Sequence, residues 1–553
     1  MFPKSNQPSF VMSQKLRQTF HPITAFFFVL ALSAIFAFVS VPWRRALQLL
    51  AWTVIFLLPL LFVVRQDSIR KLLVPIIGIG LLISYADLGI RGFLRNTFEA
   101  NPSSSFVVES LVNTTAQESG EFFQSYWLEV LSWSATTAFF LILAWFVILR
   151  WGRTRGISDT YPKLRWFLGL FFSIVVIVSW VIRPWRAHLP PVEWRKVALH
   201  IEAVKKDWSS FQEELENEGR VAQENIKALE SKAETIVLVI GESMNRDNMS
   251  LYGYSRKTTP LLEDAVKIKQ MRFIPESWSV DSSTVAAFQS MFTFPMGTGN
   301  DSKGNLFAFF KHAGWNIVWI SNQDDLAIKS EYASWSNSSN FLNHTSGRST
   351  SFLDEKVLAP LEETLQNSHG KTLIVVHLLG IHPSYSLRAP SGQKISWNQD
   401  SDEVAKHLND TKKSLRVKIA RNQYDRAMAY QDQIIYSTLE LTEKNSQNKP
   451  VMWAYLSDHG NETGDTLDRT GHSSGTLSGY KVPFLFWMSK DYMHSFAPTL
   501  KTPREFRTDW LSSFLLDAAG IQINHATPTH SILNNDYGYQ EPKVITDLKN
   551  GKK

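Results

Sequence analysis

The chain is 553 residues long, which is too long for one ordinary hydrophobic core, so at least two folded units are expected. It contains no cysteine, and this excludes disulfides, thiolate zinc ligands and a cysteine nucleophile. The formal net charge of +6 is modest, and many basic residues flank apolar segments instead of clustering on a folded domain. That distribution argues against a nucleic-acid-binding protein.

Five apolar stretches in the first third of the chain are each long enough to cross a bilayer as a helix, which takes about 20 residues. They lie at about 22–41, 46–64, 71–92, 127–149 and 164–183. The first stretch is not a cleavable signal peptide, because no small-residue cleavage site follows it and a second span begins almost at once. Residues 1–183 are therefore predicted to form a transmembrane domain with five helices.

The basic residues set the orientation of these spans. They occur in the N-terminal segment and in the loops after the second and fourth spans, as Lys4, Lys15, Arg17, Arg65, Arg70, Lys71, Arg150, Arg153, Arg155, Lys163 and Arg165. The positive-inside rule makes all three segments cytoplasmic. Arg44 and Arg45, in the turn between the first two spans, run against the rule. The loop at 93–126 and everything after residue 184 are then extracytoplasmic.

The remainder of the chain reads as a soluble protein. Residues 184–233 are predicted to be linker helices, because Trp194, Val197 and Ile201 repeat at helical spacing. From 234 to 545, apolar strands alternate with helix-length segments, which predicts a mostly parallel sheet with helices on both faces. The expected strands are 235–240, 316–320, 372–377, 451–456 and 482–487, and a tail at 546–553 ends the chain.

Polar residues recur at the carboxyl ends of four of these strands. They are Glu242, Asn322, Gln323, His377, His382, Asp458 and His459, with His472 in a later loop. Ligands of open α/β sheets lie beyond these strand ends, and two carboxylates with an imidazole suit a divalent metal such as zinc. Taken singly, each residue has a structural explanation as a turn acid, a helix cap or a core histidine. Their recurrence across four strands favours a metalloenzyme.

A metalloenzyme of this kind also needs a nucleophile, and residues 281–292 provide candidates. The segment predicts a helix entered through a Ser/Asp cap, which places several hydroxyls at the positive end of the helix dipole. Such a position suits a phosphate or a developing alkoxide. The residues alone do not distinguish Ser282, Ser283 and Thr284.

The segment Ile240–Pro260, which reads IGESMNRDNMSLYGYSRKTTP, resembles the bacterial phosphoethanolamine transferases, as do Ser282-Ser283-Thr284 and Ser457-Asp458-His459-Gly460. These are inner-membrane enzymes with five membrane helices and a periplasmic catalytic domain. The resemblance covers nearly the whole chain, span count included. It implies a five-helix transmembrane domain followed by an α/β domain of the alkaline phosphatase/sulfatase fold, here at 234–545.

The resemblance also implies residue roles. The expected zinc ligands are Glu242, Thr284, Asp458 and His459, and Thr284 is the expected nucleophile that carries a covalent phosphoethanolamine intermediate. A second histidine group, His377, His382 and His472, is expected to bind the phosphoryl group or a second metal. Expected substrate contacts are Asn322, Thr114 and Glu118. One zinc ion should be firmly bound, with a second as a candidate during turnover.

The implied reaction takes phosphoethanolamine from phosphatidylethanolamine, releases diacylglycerol and passes the group to lipopolysaccharide. Family members that act on the core heptose have few or no cysteines, so a core sugar is favoured over lipid A as acceptor. One alternative is a phosphoglycerol transferase of the lipoteichoic-acid synthase type, which shares the spans, the metal and the threonine. Another is a non-catalytic membrane receptor, which predicts decay of the metal ligands, yet every expected ligand type is present.

Overall fold

The computed structural model describes most of the chain. The described residues are 21–62, 67–98, 101–102, 107, 116–152, 161–182, 189–230, 232–296, 303–323, 331–342, 353–496, 503–524 and 527–551. Contacts divide the chain into two compact units. The first, called the helical unit, comprises Met1–Val108 and Trp127–Ile201, and the second, called the sheet unit, comprises Glu109–Tyr126 and Glu202–Lys553.

Five helices are long and apolar enough to cross a membrane, which confirms the predicted number of spans. They are α1 (Pro22–Ser40), α2 (Trp43–Phe62), α3 (Asp67–Phe98), α4 (Ala116–Gly152) and α5 (Pro162–Val181). The first and last turns of α3 extend beyond the predicted 71–92, because hydropathy marks the apolar part of a helix and not its ends. In α4 the backbone kinks at Tyr126, whose φ of −116° and ψ of 16° are not helical, and the apolar helix Tyr126–Trp151 agrees with the predicted span at 127–149.

A buried ionic network lies within the helical unit. Arg91 on α3 makes a two-pronged ion pair with Asp87, at 2.7 and 3.0 Å, and binds Glu193 at 2.8 Å. Trp194 also donates its indole hydrogen to Asp87 at 2.7 Å. The three charged side chains are almost completely buried. Their pairing offsets the cost of removing the charges from water.

Arg45, one of the two arginines that run against the positive-inside rule, also contacts this network. Arg45 on α2 lies 3.7 Å from the Glu193 carboxylate and donates to Asn101 at 2.9 Å. Its charge is therefore matched by an acidic partner in the fold. This single short turn does not outweigh the three basic segments that are predicted to be cytoplasmic.

The sheet unit is built on a seven-stranded sheet in the order β3-β13-β10-β2-β9-β7-β8. Its strands are β2 (Thr235–Gly241), β3 (Arg272–Phe273), β7 (Asn316–Ser321), β8 (Ser338–Phe341), β9 (Thr372–His377), β10 (Val451–Ser457) and β13 (Phe484–Met488). The strands from β10 to β8 are parallel, whereas β13 and β3 pair antiparallel at one edge. The mostly parallel sheet is confirmed, and the five predicted strands are present within a few residues.

Helices and short strand pairs surround this sheet. The remaining helices are α6 (Pro190–Asn225), α7 (Pro260–Ile268), α8 (Thr284–Phe292), α9 (Leu306–His312), α10 (Leu358–Asn367), α11 (Glu403–Asp410), α12 (Leu415–Lys444), α13 (Lys490–Phe496), α14 (Leu511–Ala519) and α15 (Lys543–Lys549). The remaining strands are β1 (Ile226–Leu229), β4 (Glu276–Trp278), β5 (Thr293–Pro295), β6 (Lys303–Asn305), β11 (Glu462–Thr463), β12 (Thr470–Gly471), β14 (Glu505–Arg507) and β15 (Ile521–Ile523). Two apolar cores, one on each face, enclose the central strands, and β2 and β10 are buried along their whole length.

Two predicted boundaries differ from the observed elements. The predicted linker at 184–233 contains one long helix, α6, and then β1, which pairs antiparallel with β15 of the sheet unit. The predicted tail at 546–553 begins inside α15, whose Ile545 is buried against Trp278 and Tyr480. The end of the predicted linker and the start of the predicted tail thus belong to the ordered part of the sheet unit. They are held there by strand pairing of β1 and by apolar contacts of Ile545.

We predict that Arg91→Met destabilises the helical unit. The substitution leaves Asp87 and Glu193 buried without their main cation, and breaking a buried ion pair from one side costs about 3–5 kcal/mol. The melting temperature of the purified protein in detergent should fall clearly. Arg95→Met, one turn along α3 at an exposed position, is the matched control and should leave the melting temperature unchanged. Equal melting temperatures for the two variants would refute a stabilising role for the network.

Candidate active site

Three neighbouring strand ends bring the candidate ligands together. In the parallel pair of β2 and β10, Gly241 lies opposite Ser457, so Glu242 and Asp458 leave the sheet side by side. On the other side of β2, His377 ends β9 opposite Ile240. Because parallel strands end at the same edge, residues far apart in the sequence meet there.

Glu242, Asp458 and His459 form a fully buried cluster. His459 Nε2 lies 3.3 Å from Glu242 Oε1 and 3.5 Å from Asp458 Oδ2. His472 joins them, and one ligand atom each from Glu242, His459 and His472 lies within 4.8 Å of the others. The structure thus brings together three of the four predicted zinc ligands and one histidine predicted for the second group.

The donor atoms of this cluster fit a divalent cation. The backbone carbonyl of Gly460 lies 2.8 Å from His459 Nδ1 and accepts its hydrogen, which leaves Nε2 directed at the two carboxylates. Among the described residues, Asp458 Oδ2 has no hydrogen-bond partner. A carboxylate oxygen and an imidazole nitrogen that face each other in a dry site need a proton or a metal between them.

The ionisation of the cluster gives the same conclusion. Burial and the neighbouring Glu242 carboxylate raise the pKa of Asp458 to about 8. Burial acts to lower the pKa of His459, but the carboxylates of Asp458 and Glu242 outweigh it and raise the pKa to about 9. Both shifts reflect the negative potential of carboxylates buried side by side, a potential that a bound zinc ion would also offset.

Thr284 is the first residue of α8 and faces the cluster. Its Oγ1 donates a hydrogen bond of 2.9 Å to Glu242 Oε2. The expected Ser/Asp side-chain cap is absent, since Ser283 occupies the N-cap position without a side-chain cap bond and Asp281 instead accepts from Ser290. Ser282, Ser283 and Thr284 were the three candidate nucleophiles. The hydrogen bond to Glu242 favours Thr284 among them.

Ser243, which directly follows Glu242, forms hydrogen bonds with both carboxylates of the cluster, a role that its position in the motif did not predict. Its Oγ donates to Glu242 Oε1 at 2.7 Å, and its backbone N–H donates to Asp458 Oδ1 at 3.1 Å. Its φ of 61° is left-handed, which is uncommon for a residue other than glycine. The strained turn lets one residue orient both carboxylates. A serine directly after the first strand-end acid is the signal that could have identified it.

Two glycines permit the close packing of the strand-end loops. A side chain at Gly380, where φ is 58°, would place its Cβ 2.6 Å from the backbone N of Glu242. A Cβ at Gly460 would overlap the carbonyl oxygen of Ser478. The glycine of the Ser-Asp-His-Gly motif is thus explained by steric contact with a neighbouring loop.

The second histidine group divides in the structure. The ring of His472 packs edge-on against that of His459, with centroids 4.4 Å apart, and the ring of His382 lies 6.4 Å from that of His472. His377 is instead fully buried behind α8, with its ring 4.9 Å from Phe288. Burial lowers the pKa of His377 to about 4, so its ring is neutral at pH 7. The phosphoryl or second-metal role of all three stays a prediction.

Asn322 lies in a buried network and not in the cluster. Its amide donates to Asp354 at 2.8 Å, and Asp354 in turn accepts from the backbone of Leu379 and Gly380 and from Gln431 on α12. Asp354 thus fixes the loop after β9, a role with no motif in the sequence. Substrate contact by Asn322 stays a prediction.

Helix α12 ties these loops together. Its Tyr424 donates to the carbonyl of Ser243 and accepts from the backbone of Asn245, each at 2.8 Å. Two turns further along α12, Gln431 donates a hydrogen bond to Asp354. After two more turns, Thr438 accepts a hydrogen bond of 3.1 Å from the indole of Trp453 on β10.

Two residues of the loop at 93–126 were predicted to contact the substrate. Of these, Thr114 lies outside the described residues. Glu118 lies in the first turns of α4, and its side chain is also outside the described part.

A sequence model of the sulfatase family matches residues 234–521, just over half of the chain. The chain belongs to the sulfatase family. The matched range begins one residue before β2 and ends at the start of β15, so it contains every strand of the central sheet. It also contains all members of the cluster. This confirms the sulfatase-like fold that the resemblance implied.

Curated relatives of this sulfatase-family chain include phosphoethanolamine transferases, which confirms the resemblance. EptC of Escherichia coli (strain K12) is 30% identical over 324 residues, covering 55% of this chain and 54% of EptC. CptA of Salmonella typhimurium is 30% identical over 323 residues, with the same coverage. The Kdo(2)-lipid A phosphoethanolamine 7''-transferase of Salmonella typhimurium is 27% identical over 282 residues, 47% of this chain and 45% of that protein. The matches thus span about half the length of these relatives.

Solved structures agree on the fold. The C-terminal periplasmic domain of EptC from Escherichia coli, in complex with Zn, matches with a TM-score of 0.51 and 28% identity over 56% of this chain and 89% of that domain. The integral membrane protein EptA from Neisseria meningitidis matches with a TM-score of 0.54 and 18% identity over 92% of this chain and 97% of EptA, and it supports the fold alone. Together with the five apolar helices, the match to the periplasmic domain of EptC indicates an inner-membrane protein whose sulfatase-type domain is periplasmic.

We predict that the cluster holds zinc through Glu242, Asp458 and His459. Chelation should abolish activity and added zinc should restore it, and alanine at any of the three positions should leave the purified protein with substoichiometric zinc, because no thiolate is present to compensate. Elemental analysis is the measurement, and the exposed His494→Ala is the matched control. Full zinc occupancy in Asp458→Ala would exclude Asp458 as a ligand.

Proposed function

We propose that this protein transfers phosphoethanolamine from phosphatidylethanolamine to lipopolysaccharide, with Thr284 as the nucleophile. The observation that carries the proposal is the 2.9 Å hydrogen bond from Thr284 to Glu242, beside a buried cluster that fits zinc. The choice of phosphoethanolamine as the transferred group is supported by the relatives, which are named phosphoethanolamine transferases. The EptC domain that was solved with Zn supports the choice of metal.

In the first half-reaction, the oxygen of Thr284 attacks the phosphorus of the lipid. Glu242 accepts the hydroxyl hydrogen and so orients the oxygen of Thr284 toward the phosphorus. As the new phosphorus–oxygen bond forms, the bond from phosphorus to the glycerol oxygen breaks, and the proton lost by Thr284 passes to that glycerol oxygen, so diacylglycerol leaves as a neutral alcohol. The first turn of α8 places its backbone N–H groups close to the oxygen of Thr284, where they favour a negatively charged phosphoryl group.

In the second half-reaction, a hydroxyl of the acceptor attacks the same phosphorus and Thr284 is released. Burial lowers the pKa of His472, which leaves a neutral imidazole beside the cluster. We assign His382 and His472 to the phosphoryl oxygens and to proton transfer with the acceptor. A core heptose is the acceptor we favour, although one relative is named for action on Kdo(2)-lipid A.

Glu242, Asp458, His459 and Thr284 would hold one zinc ion in this scheme, and a second remains part of the proposal for turnover. When bound, zinc lowers the pKa of a hydroxyl it contacts and neutralises charge on a phosphoryl group. Ser243 and Gly460 position the ligands for this task, since they fix the two carboxylates and the imidazole by direct hydrogen bonds.

We predict that Thr284→Ala abolishes transfer without affecting folding. Removal of the nucleophile eliminates the covalent route, so the rate should fall by at least about a thousandfold. The assay follows labelled phosphatidylethanolamine, and phosphatidylglycerol as a competing donor tests the phosphoglycerol transferase alternative. Ser283→Ala is the matched control and should keep most activity. Near-normal transfer by Thr284→Ala would move the assignment to Ser282 or Ser283.

We also predict that a fragment with the catalytic domain alone, beginning at about residue 234 and lacking the spans and the loop at 93–126, transfers poorly from long-chain lipid. It keeps the cluster but loses the local concentration and orientation that a membrane anchor provides. A fragment from residue 202 should be more stable than one from 234, because the shorter fragment lacks β1 and the buried Val221 and Ala222.

The measurement compares transfer rates of the fragment and the intact protein with two donors. A short-chain, water-soluble donor should recover part of the lost rate, because it removes the need to extract a lipid. If the fragment modifies lipopolysaccharide from long-chain phosphatidylethanolamine as fast as the intact protein does, the helices serve only as a tether.

A further inference from the structure

A large cavity lies in the sheet unit away from the zinc-compatible cluster. Its volume is about 930 Å³, within the range of small-molecule binding sites. Its described lining comes from the segments around β1 and β5, from α14 and from Thr527, His530, Ser531 and Asn534 after β15. None of the predicted catalytic or substrate residues lines it.

The charges that line the cavity balance. Three cations, Lys227, Lys232 and Arg507, are matched by three acids, Glu230, Asp509 and Asp517. Two of the pairs are close, since Lys232 lies 2.7 Å from Asp517 and Arg507 lies 2.7 Å from Asp509. Each member of a paired cation and acid can still exchange hydrogen bonds with hydroxyl groups. The lining therefore suits an uncharged polar ligand better than an anion.

A flat aromatic surface forms one side of the same cavity. The rings of Trp510 and His530 stack with centroids 4.1 Å apart and planes within 9° of parallel. Trp510 is buried, whereas His530 is half-buried and forms the outer layer of the stack. Burial lowers the pKa of His530, so the ring is neutral at pH 7. A ligand in the cavity could therefore stack on the neutral ring of His530 and also form hydrogen bonds with the charged side chains nearby.

The cavity is connected to the nucleophile through α8. Thr284 begins this nine-residue helix, and Phe294, just beyond its end, lines the cavity. Ser512, next to the cavity wall, donates to the carbonyl of Met291 in the last turn of α8 at 2.6 Å. The helix is about 13 Å long, a distance that an oligosaccharide spans and a single sugar does not.

We propose that this cavity binds uncharged sugars of the glycan acceptor, while a neighbouring hydroxyl of the same glycan reaches Thr284. The inference rests on the proposed function, because it assumes that the acceptor is a glycan. The cavity holds the acceptor by stacking on His530 and by hydrogen bonds to its paired charged side chains. It contributes to acceptor binding and takes no part in the reaction with the lipid donor.

The test uses two variants of the full-length protein in detergent. His530→Ala removes the outer ring of the stack, and Ser513→Phe fills the cavity from α14 without removing a described contact. The matched control is His494→Ala, an exposed histidine on α13 outside the cavity lining. Binding of dephosphorylated core oligosaccharide is measured by calorimetry, with inorganic phosphate as the anionic probe. Diacylglycerol release without acceptor measures the donor half-reaction.

Both cavity variants should bind the oligosaccharide at least about tenfold more weakly, the size of a lost aromatic contact, and show a raised KM for acceptor. Their kcat and their diacylglycerol release should match those of the unaltered protein and of His494→Ala. Unchanged oligosaccharide binding in both variants, or competition by inorganic phosphate, would overturn the proposal. If the unaltered protein releases no diacylglycerol from phosphatidylethanolamine, the proposed function is refuted instead. The oligosaccharide-binding measurements would still decide whether the cavity binds a glycan.

Discussion

The candidate active site depends on two carboxylates that are buried side by side at the ends of β2 and β10. Glu242 and Asp458 leave adjacent parallel strands, and His459 lies within 3.5 Å of both and can become positive. Burying two carboxylates so close together is unfavourable unless a cation shares the site. The loops around Glu242 and Asp458 hold the two carboxylates in positions from which they could bind a metal ion.

Much of that supporting structure is made of backbone contacts. The left-handed turn at Ser243 brings its backbone N–H to Asp458, Gly380 lets the loop after β9 approach the backbone of Glu242, and Gly460 packs against the carbonyl of Ser478. Asp354 then fixes the loop after β9 through two backbone N–H groups. Such contacts hold the donor atoms at short range without adding charge, so the cluster keeps its affinity for a cation.

The sequence predicted the span count, the parallel strands and the cluster, because each rests on a strong local signal. Apolar runs mark the spans and strands, and a polar residue directly after a buried strand marks the functional edge. The divided histidine group and the buried Asn322 could not be predicted, since they depend on which way a side chain turns at a strand end. Asp354 and the cavity beside Trp510 join segments far apart in the chain, and no spacing rule connects them. The last turns of α3 and the short strand β1 were not predicted, because polar turns and short edge strands carry weak patterns.

Helix α12 has a consequence for how this protein can change over evolution. Tyr424, Gln431 and Thr438 follow one another at seven-residue intervals, which places them on one face of the helix, and they hold the loop after β2, the loop after β9 and the strand β10. One inserted or deleted residue between them would rotate the following part of the helix by about 100° and detach the later contacts. Substitutions can accumulate along the exposed face of α12, but its length between these residues is fixed. Changes in chain length are therefore expected in the surface loops, where no such common register has to be kept.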